Sequence, residues 1–165
     1  MVIATQYLWL IPVILFLMVE YKKSSAVLVF NDDGELALQL RAANDDSYPS
    51  HWDFSAGGGI DPAEDFKDCA ERELREELGI EASIEFVDEG HYTYPVWASS
   101  NSREEDLIIY RTRHNGPFSP NPLEVQKIQF FKLGRIKEML ESGEKFHPAF
   151  ALLWNKGVIS RAADN

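Results

Sequence analysis

The sequence predicts one α/β domain beginning after residue 22, and three observations carry that reading. Strand-like apolar runs and amphipathic helical stretches are mixed along the chain rather than segregated to its ends. No repeat, low-complexity tract or linker divides the 165 residues. An apolar content of 45% is enough for a single core at this length.

The first 22 residues read as a separate apolar extension. Tyr7 to Val19 is an uncharged run of thirteen residues interrupted by Pro12, against roughly 20 for a spanning helix. Met1 to Gln6 holds no Lys or Arg, whereas a secretory signal is expected to carry a basic n-region. Two readings stay open. One is a membrane anchor through residues 7–19 with Lys22 and Lys23 on the cytoplasmic side. The other is a buried or partner-covered extension. The expected location is the cytoplasm, with membrane association only through that segment.

The domain is expected over residues 23–157. Ser25 to Phe30 reads as a strand, Asn31-Asp32-Asp33-Gly34 as a hairpin turn, and the alternation of Leu36, Leu38 and Leu40 as the return strand. A polar loop leads to a short strand at Trp52 to Phe54, and Gly57-Gly58-Gly59 reads as a tight turn. A helix follows, with Asp65 as its N-cap, Phe66, Cys69, Ala70 and Leu74 as its apolar stripe, and Gly79 as its stop. Ala82 to Tyr94 is strand-like, Ala98 to Glu105 a polar loop, and Leu107 to Thr112 another strand. Ile128 to Phe131 is the last strand, and Ile136 to Leu140 and Pro148 to Trp154 are closing helices. Residues 158–165 read as a polar tail.

The net charge of -11, with no cluster of Lys or Arg, excludes a nucleic acid polymer as a main partner. A small phosphorylated substrate is compatible with that charge when metal ions mask it locally. Cys69 is the sole cysteine, which rules out an intrachain disulfide and a cysteine-based zinc site. It reads as a small core residue.

On the helix that starts at Asp65, Glu73, Glu76 and Glu77 share one face. Like charges at i, i+3 and i+4 repel, so the cluster costs stability unless a cation joins it. Oxygen-only ligation favours a hard divalent ion, Mg2+ or Mn2+. The glutamates stand in a longer pattern: Gly58, Glu64, Arg72, Glu73, Leu74, Glu76, Glu77, Gly79 and Ile80, nine set positions in 23 residues. That pattern resembles the Nudix box, and every specified position is filled.

The resemblance to Nudix hydrolases implies a Nudix-type α/β/α sandwich with a mixed sheet, the box helix carrying the metal site. It also implies hydrolysis of a diphosphate linkage in a nucleoside diphosphate joined to another moiety, or in a similar organic pyrophosphate, with Mg2+ or Mn2+. By the same resemblance Glu73, Glu76 and Glu77 are metal ligands and Gly57 offers its carbonyl as another. Arg72 orients Glu73 by a charge-assisted hydrogen bond. Glu64 supports the loop–helix junction or an outer metal. The base that takes the water's proton is a cluster glutamate or a later acid, and Glu105, in the run Glu104-Glu105-Asp106, is the preferred one. Arg41, ending the second strand, is the candidate substrate-binding residue, expected either to meet a phosphate or to form a surface ion pair.

Around the box, Tyr48-Pro49, His51 to Gly58, Asn121 to Val125, Phe130 and Phe146-His147-Pro148 resemble the branch holding isopentenyl-diphosphate isomerases and their hydrolase relatives. The isomerase pattern has a catalytic cysteine and a metal-binding histidine just ahead of the helix. Ser55-Ala56-Gly57-Gly58-Gly59 stands there, so isomerase activity is disfavoured. A nucleotide-binding module without turnover is the other alternative, disfavoured by the intact carboxylate set. Ala63 replaces the glycine usual before the box glutamate. Glu124 serves either the site or a structural hydrogen bond, and Tyr92, Tyr94 and Trp97 either stack on a base or pack the core.

Overall fold

The structure, a computed structural model, describes residues 19–164. The apolar run 7–19, apart from Val19, and the anchor expected of it therefore lie outside the described residues. Among the described residues no helix is long and apolar enough to cross a membrane.

The elements run β1 (Val19–Phe30), β2 (Leu36–Arg41), β3 (Trp52–Asp53), β4 (Ala56–Gly59), α1 (Phe66–Leu78), β5 (Glu85–Pro95), β6 (Ser102–Arg113), β7 (Val125–Phe131), α2 (Leu133–Glu141), α3 (Pro148–Asn155) and α4 (Val158–Ala163). Among the described residues they form one mixed sheet of order β3-β2-β1-β6-β5, with β4 also paired to β1 and β7 to β2. β1 and β6 run parallel from Val19↔Ser102 to Phe30↔Arg113, and the other pairs are antiparallel.

Both faces of the central strands are covered, which is why β1 reads as a continuous apolar run. Val27 and Val29 face Ala70, Leu74 and Leu78 of α1. Leu28 and Phe30 point the other way, into Ile136, Met139, Phe150, Leu153 and Ile159 of α2, α3 and α4. The period-2 alternation of a strand sorts consecutive residues into two cores. The result is the expected α/β/α sandwich.

Four expectations are corrected. β1 pairs from Val19, ahead of the expected domain start at 23, because β6 supplies partners that far. The Gly57-Gly58-Gly59 stretch is not a turn but β4, paired with Ser24 to Ala26. Glycine is needed for room instead: a Cβ on Gly57 would stand 2.8 Å from the Ser25 carbonyl oxygen, and one on Gly58 1.9 Å from Glu73 Oε1. Ala98 to Glu105 is a loop only as far as Asn101, since β6 starts at Ser102. Residues 158–163 are not a polar tail but α4, with Val158, Ile159 and Ala162 buried. Six residues are too few for a helical period to show in the sequence.

α1 begins and ends as expected. Asp65 accepts from the N–H groups of Lys67 and Asp68, and Gly79 caps the C-terminus at φ 65°. The last turn leaves orphan carbonyls, and the Pro-rich loop fills them: Ser119 N–H donates to Leu78 O at 2.9 Å and Asn121 N–H to Glu77 O at 3.1 Å. That docking brings Glu124 to the carboxylate face of α1.

Candidate active site

Glu73 and Glu77 lie one turn apart on the face of α1 turned toward the sheet, and both are buried, at 7% and 6% exposure. Glu77 Oε2 accepts from Gly57 N–H at 2.8 Å and from Gln39 Nε2 at 3.0 Å. Both protein bonds land on one oxygen, leaving Oε1 free to meet another group. Glu124 approaches from the start of β7. Carboxylate oxygens of Glu73, Glu77 and Glu124 all lie within 4.8 Å of one another.

Such crowding is electrostatically costly. Burial, and then the charge of Glu73, pushes the Glu77 carboxyl well above the usual carboxylate range. Burial also raises Glu73, although Arg72 opposes it. A divalent cation would relieve both effects, and three carboxylates without nitrogen or sulfur suit a hard one. The donor set therefore fits Mg2+ or Mn2+.

Arg72 is the organiser of the helix start. Its Nε and Nη2 bond Glu64 at 2.8 and 3.0 Å, its Nη1 bonds Glu73 at 2.7 Å and Glu76 at 3.0 Å, and Nη2 also reaches Gly59 O at 3.0 Å. Glu64 further accepts from Asp61 N–H at 3.0 Å. The structure thus places Glu64 at the loop–helix junction, outside the three-carboxylate cluster. Glu76 is half exposed and turned to Arg72, also outside it. Gly57 meets the cluster through its N–H. Cys69 is buried under the same loop, its thiol pushed up to about 11 by burial and the charge of Glu73.

Beside the cluster opens a cleft lined by Lys22, Gln39, Arg41, Tyr94, Arg103 and Glu105, among others. Glu105 is not in a solvated loop but buried in β6, accepting from Ser24 Oγ at 2.6 Å and Tyr94 Oη at 2.7 Å. Arg41 lines the cleft, yet its guanidinium is engaged by Asp45 at 2.7 Å, Asp53 at 3.1 Å and Ser47 O at 3.0 Å. His147 lines the cleft as the N-cap of α3, placed there by the bond from its own N–H to Trp52 O at 2.8 Å.

Several of these residues were not visible in the sequence as site residues. Lys22 read as an anchor flank, and Tyr94 as an aromatic that either stacks on a base or packs the core, not as a partner of Glu105. Gln39 had one available signal: it is the lone strongly polar residue in Leu36–Leu40, on the same face as Ala37. That face is buried against α1, so an amide there needed a partner. Ser55 is fully buried, donating to Ala37 O and accepting from Val29 N–H at 2.8 Å, and it does not line the cleft.

Fold and site together define an α/β protein with a cluster of three carboxylates beside a polar cleft. The chain matches the NUDIX domain over residues 20–151, and it belongs to that family. It is 41% identical over 126 residues to an uncharacterized Nudix hydrolase of Listeria innocua, covering 76% of this chain and 72% of that protein. It is 30% identical over 115 residues to an isopentenyl-diphosphate Delta-isomerase of Paenarthrobacter aurescens, covering 68% of this chain and 62% of the isomerase. For other curated relatives the matched stretch is as little as 32% of their length. The fold is that of the MutT protein from Methanosarcina mazei, with TM-score 0.70, 22% identity and coverage of 88% and 97% of the two chains.

Proposed function

We propose that this chain hydrolyses a diphosphate linkage in a nucleoside diphosphate joined to another moiety, or in a similar organic pyrophosphate, with Mg2+ and with Mn2+ as a substitute. The observation that carries this reading is the convergence of Glu73, Glu77 and Glu124 at the end of a polar cleft. Membership of the NUDIX family supports it.

Glu73, Glu77 and Glu124 would hold the cation, which supplies charge neutralisation at the phosphate oxygens and acidifies water. The remaining work falls to this chain's own residues. Arg72 fixes Glu73 from behind. Lys22, with no ion pair among the described residues, offers a cation to the diphosphate where the engaged Arg41 does not, so Arg41 acts chiefly by ordering the cleft wall. Glu105 takes a proton from water, its carboxylate oriented by Ser24 and Tyr94. In the reaction the water oxygen bonds to one phosphorus, the bridging P–O bond breaks, and the leaving phosphate departs with that bond's electron pair.

The test is phosphate release from a panel of organic pyrophosphates at varied Mg2+ and Mn2+. Wild type is expected to turn over at least one member in a metal-dependent way, and Glu73→Gln and Glu77→Gln to lose that turnover. Full turnover by both variants would sink the metal-site reading. The isomerase alternative lacks an acid at Ser55, whose hydroxyl is spent inside the sheet.

A further inference from the structure

Gln39 presents an unusual local balance. It is 2% exposed, sits on β2 opposite Asp53 and lines the cleft. Its Nε2 donates to Glu77 Oε2 at 3.0 Å. A carboxylate only accepts, so the amide must turn its NH2 to Glu77 and its carbonyl oxygen the other way. That oxygen, Oε1, is buried and has no partner among the described residues. The Glu77 carboxylate and Gln39 Oε1 are both acceptors, while the Gly57 N–H is already given to Glu77. The nearby Asp53 carboxylate accepts as well, from Phe54 N–H at 2.8 Å and from Arg41. Among the described residues none of these neighbours donates to Oε1.

An orphaned buried acceptor destabilises the fold, and a leucine at position 39 would avoid it. A ligand-borne donor explains its presence. We infer that Gln39 is a positioning residue that holds the reacting water: Nε2 fixes Glu77, and Oε1 accepts one O–H of a water seated in the cleft beside Glu77. With one O–H tied to Gln39, the water keeps its other proton free for a cleft carboxylate and turns a lone pair into the cleft. The inference rests on the hydrolytic reading for the word "reacting", but the water's place at Oε1 does not depend on turnover.

The test compares wild type with Gln39→Met, which keeps the volume and removes the amide. A crystal structure of the Mn2+-loaded protein is expected to show, in wild type, an ordered water about 3 Å from Gln39 Oε1, absent from the variant. Gln39→Met is expected to keep its Tm and, having lost the bond to Glu77, to weaken Mn2+ binding by a clearly smaller factor than it lowers kcat. Its kcat should fall about 10–100-fold at little-changed KM, as for a group acting in the transition state. Unchanged kcat, or no water at Oε1, would overturn the inference. So would a fold-loss of Mn2+ affinity as large as that of kcat, or a clear drop in Tm, either of which would make Gln39 only a structural prop for Glu77. If wild type shows the water but turns over no pyrophosphate, the hydrolytic reading fails while the placement of the water by Gln39 stands.

Discussion

Arg72 and Glu64 are joined by two parallel hydrogen bonds, Nε to Oε1 at 2.8 Å and Nη2 to Oε2 at 3.0 Å. They stand eight positions apart in the chain, spanning the turn into α1. The pair therefore does two things at once: it closes the loop onto the helix and aims the remaining nitrogen, Nη1, at Glu73. The planar guanidinium makes this possible, because its donors diverge in a fixed fork.

Arg72→Lys keeps the charge and loses the fork. It is expected to lower turnover about 10–100-fold through misplacement of Glu73, with a smaller effect on substrate KM. Steady-state kinetics with a responsive pyrophosphate checks this, and a variant with wild-type kcat would show that charge alone suffices.

Gly58→Ala tests the close approach of β4 to α1. The added methyl would sit 1.9 Å from Glu73 Oε1 and 2.5 Å from its Cδ. The carboxylate has to swing away. Weaker Mn2+ binding, measured by titration calorimetry, is expected at an unchanged far-ultraviolet circular dichroism spectrum.

Ala63 adopts φ 69°, in the left-handed region. An L-residue there costs roughly 1–2 kcal/mol, partly offset in a glycine variant by roughly 0.5–1 kcal/mol of extra chain entropy. Ala63→Gly is thus expected to stabilise by about 0.5–1 kcal/mol. Thermal unfolding should show a Tm higher by about 1–4 °C, with kcat unaltered.

His147 gives the fold an acid-sensitive point. Burial lowers its pKa from the ordinary 6.5, and its Nδ1 accepts from Ala149 N–H at 3.3 Å, a bond that only an unprotonated Nδ1 can make. Below about pH 6.5 the unfolded chain takes up a proton that the folded chain refuses, so stability falls as pH drops until the folded pKa is reached. The slope from this group approaches about 1.4 kcal/mol per pH unit. His147→Asn, which retains a capping acceptor, should flatten urea-unfolding stability between pH 6.5 and 5. An equal acid slope in the variant would remove His147 as the source.

The parts of the molecule legible in sequence are those set by local chemistry. Asp65 and Gly79 bracket α1 as read, because an N-cap acceptor and a residue tolerant of positive φ are local needs. Gly57-Gly58-Gly59 misled, because glycine marks both a turn and a strand pressed against a neighbour, and only the neighbour tells them apart. Residues 158–163 misled for a related reason: the apolar pair Val158 and Ile159 acquires meaning only against the α3 side of the sheet.

The site divides along the same line. The spacing of Glu73 and Glu77 was enough to put two carboxylates on one helix face, since the helical period alone decides that. Which carboxylates converge was decided by tertiary structure. Glu76, also on the helix, is drawn off to Arg72, while Glu124, 47 positions beyond Glu77 in sequence, is brought in by the loop that caps α1. By itself the sequence determined the box helix, its caps and the chemistry of its acids, because residues a turn apart need no other part of the chain to meet. The cleft walls, the burial that raises Glu77 and the unpartnered buried acceptor of Gln39 came only with packing, because strands distant in sequence must pair before their side chains share a space.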